Sequence, residues 1–289
     1  MYSEIPKDLK FHRASHYIRP EFLVSDSKYS NIYFTKYQKR CKKFTITRLC
    51  AAKVLKPVDD SVNEIEYHIT KNLNHPNVIR PLGIVRSSEL VVIYYPWMGG
   101  GSLMEWIDKK IHVSEMELSI LFRQMVDAVE YIHSQNILHQ DIKPDNFLIT
   151  IDGHVRLADF GLARYHERPR IDTCGSPVYM APEVMMRCPR EYASDIWSLG
   201  ICLYEMVYNQ TPFNHVVDEH ELLIEIQKPI KYPKLHISLE LRDLLMRMLS
   251  FYTICRIKVD EIKNHGWLYT HDSSEKVKLP RIPSRFNTI

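Results

Sequence analysis

Apolar and polar residues alternate with period two at 17–24, 31–37 and 44–53, the spacing of half-buried β-strands. Residues 61–73 instead carry apolar positions at helical spacing, and this helix is expected to end at His75, Pro76 and Asn77, because proline disfavours helix in the residue before it. With two further strands predicted at 79–85 and 90–95, the first 95 residues read as a small antiparallel sheet with one helix. After Gly99, Gly100 and Gly101 the period changes: Leu118, Leu121, Phe122, Met125, Val129 and Ile132 mark one apolar stripe at steps of three and four. Residues 194–208 are apolar nearly all round and predict a buried central helix, and 238–249 and 259–265 predict amphipathic helical turns. Between them, 137–183 is irregular apart from a hairpin turn at Asp152 and Gly153. No internal repeat or low-complexity run is present, and the stretch from His271, with Pro280 and Pro283, reads as extended.

Composition narrows the class. Of 289 residues, 45% are hydrophobic and 25% charged, which excludes a disordered or fibrous chain. Glycine is scarce: there are nine, the first at Gly83, so any phosphate-cradling turn before it must do without. Cys41, Cys50, Cys174, Cys188, Cys202 and Cys255 are scattered, with neither zinc spacing nor disulfide density, and read as reduced thiols of an intracellular protein, cytoplasmic or nuclear. No apolar run predicts a membrane span or a signal peptide, so no membrane association is expected. Net charge is +3, yet residues 1–56 hold 13 Lys and Arg against 4 Asp and Glu, making them +9 and the rest −6. The cluster of Lys39, Arg40, Lys42 and Lys43 lacks interleaved aromatics, so a solvated loop is favoured over nucleic-acid binding. His12 and His16 stand at helical spacing without a third ligand, and read as surface histidines.

The chemistry is concentrated in HQDIKPDNFLI, from His139 to Ile149, and in Asp159, Phe160 and Gly161 downstream. Phosphoryl transfer needs a carboxylate to accept the proton of the attacking hydroxyl, a cation near the moving phosphoryl, and oxygen ligands for a divalent metal. Asp141, Lys143, and the pair Asn146 and Asp159 can fill these roles in turn. In this order the motifs resemble the eukaryotic protein kinases, over roughly residues 17–268. The resemblance implies an α+β, bilobal fold: an arm at 1–16, a sheet lobe and hinge at 17–98, a mainly helical lobe at 99–268 and a basic tail at 269–289. It implies ATP between the lobes, with Mg²⁺, or Mn²⁺ in its place. Lys53, in CAAK, then looks like the lysine that binds the phosphates and Glu66 like its helix partner. Ile32, Ala51 and Leu148 match adenine-lining positions, and 94–98 resembles the hinge. Glu183, in APE, closes the activation segment, with Arg256 as its partner and Asp195 as a structural aspartate. His139 is a scaffold imidazole rather than a base. Lys143 and Ser176 resemble the serine/threonine branch, and CGSP with NHGWL looks most like the calmodulin-dependent and Snf1-like groups. Asp145 and Glu205 match positions that select basic residues upstream of the phosphosite. A monomer acting on protein substrates is expected; the basic tail, with Lys276, Lys278, Arg281 and Arg285, reads as a disordered terminus, with docking of substrates or regulators as the alternative.

Two departures from the family pattern stand out. Ser25, Ser27 and Ser30 occupy the three glycine positions of the phosphate loop, with Tyr29 at its tip. Serine there is expected to cost about 1 kcal/mol per position wherever φ is positive, and to weaken nucleotide affinity while leaving transfer intact. Gln140 stands where most members carry the arginine that receives an activation-segment phosphate, and Asp172 stands at the site usually phosphorylated. These features predict a segment ordered without phosphorylation, through Asp172 and Arg164, with Thr173 as the alternative phosphosite. They also support an alternative reading, a pseudokinase scaffold that binds nucleotide weakly and acts through partners.

Overall fold

The computed structural model of the protein describes residues 11–13, 16–27, 30–40, 45–56, 65–86, 91–109, 113–167, 175–233 and 236–270. Contacts divide the chain into two compact units, residues 1–74 with 79–98, and residues 75–78 with 99–289.

The first unit is a sheet built from β1 (Phe11–Arg13), β2 (His16–Asp26), β3 (Ser30–Arg40), β4 (Thr45–Leu55), β5 (Gly83–Arg86) and β6 (Val91–Pro96), with α1 (Ile65–Thr70). All its pairings are antiparallel, in the order β1-β2-β3-β4-β6-β5. Period-two burial produces its core, where Tyr33, Ala52, Val54, Val92 and Tyr94 pack with the half-buried Leu23 and Val85. His12 and His16 both lie in paired strands, not on the helix their spacing suggested. The strand predicted from 79 begins only at Gly83, because Pro81 has no N–H to donate; the first bond there runs from Leu82 N to Tyr94 O.

The second unit opens with β7 (Gly101–Ser102), α2 (Leu103–Lys109) and α3 (Glu115–Ser134), followed by β8 (Ile137–Leu138), β9 (Phe147–Ile149), β10 (Val155–Leu157) and β11 (Arg164–Tyr165). Then come α4 (Pro182–Met185), α5 (Tyr192–Tyr208), α6 (Glu219–Glu225), α7 (Leu239–Met248), α8 (Val259–Lys263) and α9 (Gly266–Thr270). Helix α3 starts at a reciprocal cap, in which Ser114 Oγ accepts from Glu117 N and Glu117 Oε2 accepts from Ser114 N. Its predicted stripe is buried along its length. Helix α5 is buried on nearly all sides, and at Gly200 an added Cβ would meet Leu249 and Met248, so glycine lets α5 and α7 pack closely. Residues 75–78, read from sequence as a helix stop, are held by this unit: Leu157 N donates to Asn77 O, and His75 stacks on Tyr131. Among the described residues, no helix is long and apolar enough to cross a membrane.

Candidate active site

In the sheet unit, β4 presents Lys53 and α1 presents Glu66, both buried. Lys53 Nζ donates to Glu66 Oε2 at 2.6 Å, and Tyr95 OH, on β6, donates to Glu66 Oε1 at 2.8 Å. Both carboxylate oxygens are thereby engaged, the condition under which a buried ion pair is tolerated. Register places Ile32 opposite Lys53 and Ala51 opposite Phe34, so Ile32, Ala51 and Lys53 share one face of the sheet, with Ile32 and Ala51 half-buried.

The glycine-free hairpin joins β2 to β3. Ser25 is exposed within β2, opposite Ile32. Ser27 and Ser30 stitch the turn to itself: Ser27 N donates to Ser30 O at 2.9 Å, Ser30 N to Ser27 Oγ at 3.1 Å, and Ser27 Oγ to Ser30 O at 2.9 Å. Lys56 Nζ, from beyond β4, donates to Asp26 Oδ1 and Ser27 O. Positive φ at described non-glycine residues occurs only at Asn136, Gln140, Asp159, Arg187 and Asn209, so none of the three serines carries the expected left-handed strain. Tyr29 lies outside the described residues.

In the helical unit, the loop between β8 and β9 gathers the polar groups. Asp141 Oδ2 lies 2.8 Å from Lys143 Nζ and accepts from Asn146 Nδ2 at 3.1 Å, while Oδ1 accepts from Ser176 N at 3.2 Å and Oγ at 3.3 Å. Lys143 Nζ also donates to Ser176 Oγ at 2.9 Å. Asn146 spends both amide hydrogens on Asp141, on O and Oδ2, which leaves its Oδ1 as an acceptor with no hydrogen bond from the described residues. Asp159 is exposed in a left-handed conformation (φ 58°), next to Ala158, whose N donates to Asn146 O at 2.8 Å. The Asp159 carboxylate and the Asn146 amide oxygen are of the type a hard divalent cation takes as ligands. Among the described residues no cluster of three or more His, Cys, Asp or Glu side chains could hold a metal.

Asp195, in the first turn of α5, anchors this loop. It accepts from His139 N at 2.9 Å, Gln140 N at 3.0 Å and His133 Nε2 at 2.9 Å. Burial pushes its carboxyl up, but the hydrogen bonds from the His133 side chain and the His139 amide outweigh that and hold it below the usual carboxylate range. His139 Nε2 lies 3.0 Å from Ala158 O and must donate to it, and the ring meets Phe160 edge-on, so it serves as scaffold. Glu183 and Arg256 form a buried two-pronged pair at 2.8 and 3.0 Å, with Ser194 Oγ donating to Glu183 Oε1. Glu205 accepts from Tyr179 OH at 2.7 Å; burial raises its carboxyl above the ordinary value, and Asp145 and Asp108 add to the rise. Leu148 is half-buried on β9. Asp172 and Thr173 lie outside the described residues, as do residues 271–289. Sequence reasoning missed the Tyr95 bond to Glu66 and the bond that Arg190 Nη1 donates to Gln140 O at 3.0 Å, both between residues far apart in the chain.

The sequence matches the family described as Protein kinase domain over residues 14–268. The chain belongs to the protein kinase family. CBL-interacting protein kinase 1 of Oryza sativa subsp. japonica is 34% identical over 256 residues, covering 84% of this kinase chain and 54% of that protein. SNF1-related protein kinase catalytic subunit alpha KIN12 of Arabidopsis thaliana is 33% identical over 210 residues, 71% of this chain and 42% of that protein. Aurora kinase of Dictyostelium discoideum is 32% identical over 218 residues, 74% and 56%. The chain spans about half the length of the curated relatives it matches. Its antiparallel-sheet unit and mainly helical unit are the α+β kinase architecture that the motifs implied.

Proposed function

We propose that this kinase domain transfers the γ-phosphoryl group of ATP to serine or threonine hydroxyls of proteins. The observation that carries the reading is the fixed carboxylate of Asp141, gripped on both oxygens by Lys143, Asn146 and Ser176. In this reading Asp141 orients the substrate hydroxyl and takes its proton as the new O–P bond forms and the bond to the leaving ADP oxygen breaks. Lys143 places its ammonium beside the moving phosphoryl, and Ser176 holds Lys143. Lys53, steadied by Glu66, binds the α- and β-phosphates. Asn146 Oδ1 and the Asp159 carboxylate would hold the divalent cation, Mg²⁺ or Mn²⁺, which when bound neutralises charge on the phosphate oxygens. Asp145 and Glu205 favour basic residues upstream of the phosphosite. The basic tail docks substrate or regulator.

Two finer points belong to the same reading. Gln140 is neutral and offers a segment phosphate no charge, so activity does not require activation-segment phosphorylation. Nucleotide affinity is weak, because the Ser27 and Ser30 amides that would face phosphate are already donated within the turn. Those occupied amides also favour the alternative, a scaffold that binds nucleotide poorly and acts through partners. Labelled ATP, Mg²⁺ and a mixed peptide library separate the two. Transfer by wild type, lost in Asp141→Asn, supports the enzyme; no transfer and no ATP binding by wild type overturns it in favour of the scaffold.

A further inference from the structure

Gln140 precedes the proposed catalytic carboxylate and sits at φ 69°, a left-handed conformation that a residue with a side chain keeps only when its surroundings impose it. Its own side chain does not impose it: Oε1 and Nε2 are both buried and neither has a hydrogen-bond partner among the described residues. The restraint comes through the backbone. Asp195 Oδ1 accepts from Gln140 N at 3.0 Å, and Arg190 Nη1 donates to Gln140 O at 3.0 Å. Arg190 is a buried cation, 4% exposed, bordering the same cavity as Gln140, Asp141, Ser176 and Ser194. Gln140 O is also the atom that Gly175 crowds, since a Cβ there would come within 3.1 Å of it, and Gly175 is followed by Ser176, the second support of Asp141.

We propose that Arg190 is a positioning residue for the catalytic loop, supplying from the turn before α5 the buried positive charge that position 140 lacks. The Gln140 carbonyl shares a peptide plane with the Asp141 amide, so the bond from Arg190 sets the direction in which the Asp141 side chain leaves the loop. The charge is a permanent part of the fold, which is how a loop with a neutral residue at 140 stays ordered without phosphate. The inference rests on the kinase reading for its catalytic consequence, and on geometry alone for the restraint.

The test compares wild type, Arg190→Ala, Arg190→Gln and Arg190→Lys by kcat, by KM for ATP, and by amide hydrogen exchange. Arg190→Ala should lower kcat about 10- to 100-fold, the cost of a misplaced reacting group, and leave KM for ATP within about threefold. Exchange should quicken at residues 140–143 and stay unchanged in α3. Arg190→Lys, which keeps a charged donor, should recover part of the loss; Arg190→Gln should not. An unchanged kcat in Arg190→Ala with unchanged exchange at 140–143 overturns the proposal, and so does exchange that quickens throughout the unit. If the alanine variant does not fold, the lysine and glutamine variants decide by the same criteria. If wild type transfers no phosphate, the kinase reading fails and exchange alone decides: quickening confined to 140–143 supports the restraint, and its absence overturns it.

Discussion

In the sheet unit, serines stand where phosphate-loop glycines would, and the turn is held by bonds among its own members: Ser27 and Ser30 exchange backbone and hydroxyl donors, with Lys56 bracing Ser27 O. In the helical unit, Gln140 stands where an arginine would, and it is held from outside the loop, by Asp195 and Arg190. The difference matters for function. A turn that satisfies itself uses up the amides a phosphate would need, and a ligand must break those bonds before it can use them. In a loop pinned by distant residues the working side chains are held to one another, with Asp141 joined to Lys143 and Asn146. On the proposed reading, one departure bears on binding and the other is compensated for catalysis.

Substitutions on the two sides should separate along that line. The largest effect is expected from Asp141→Asn, which keeps the shape and removes the base: kcat should fall about 10²- to 10⁴-fold in a peptide assay, with KM for ATP little changed. Next comes Arg256→Ala, which leaves Glu183 buried without its two-pronged partner; denaturant unfolding should show about 3–5 kcal/mol lost, and a smaller loss for Glu183→Asp, which keeps the charge but shortens its reach. In the sheet unit, Tyr95→Phe removes one of the two bonds on the Glu66 carboxylate, so stability should drop by about 1–3 kcal/mol and KM for ATP should rise with kcat nearly constant. The smallest change is expected on replacing Ser25, Ser27 and Ser30 together with glycine. No positive φ is relieved, but the hydroxyl stitch and the Cβ atoms are gone, and KM for ATP should fall a few-fold, on the order of 1 kcal/mol of binding. An unchanged or higher KM would remove the sheet unit's half of the comparison.

Much of this was readable in the chain itself, because the strand and helix periods recur over many residues. The stripe of α3 and the all-round burial of α5 follow from spacing alone. The loop groups around Asp141 were readable too, since Asp141, Lys143 and Asn146 lie within six consecutive residues. Short elements escaped: β1 has three residues, and α6 buries only Leu222, so neither carries enough pattern to stand out from a loop. The restraints that orient the site escaped for another reason. Tyr95 reaches Glu66 across 29 positions and Arg190 reaches Gln140 across 50, and nothing local to either residue marks its partner. The Ser27 and Ser30 stitch was hidden in the same way, since the serines read as lost glycines and not as a turn that closes on itself.

One saturation curve is decisive: phosphatase-treated wild type, Mg²⁺ present, a serine/threonine peptide in excess, and initial transfer rate followed against ATP. Turnover should fall in the ordinary kinase range, about 1–100 s⁻¹, reached only at high ATP, with KM on the order of 1 mM. Turnover that vanishes on phosphatase treatment, or tight ATP binding with no transfer, would contradict phosphate-independent catalysis by a weak nucleotide binder.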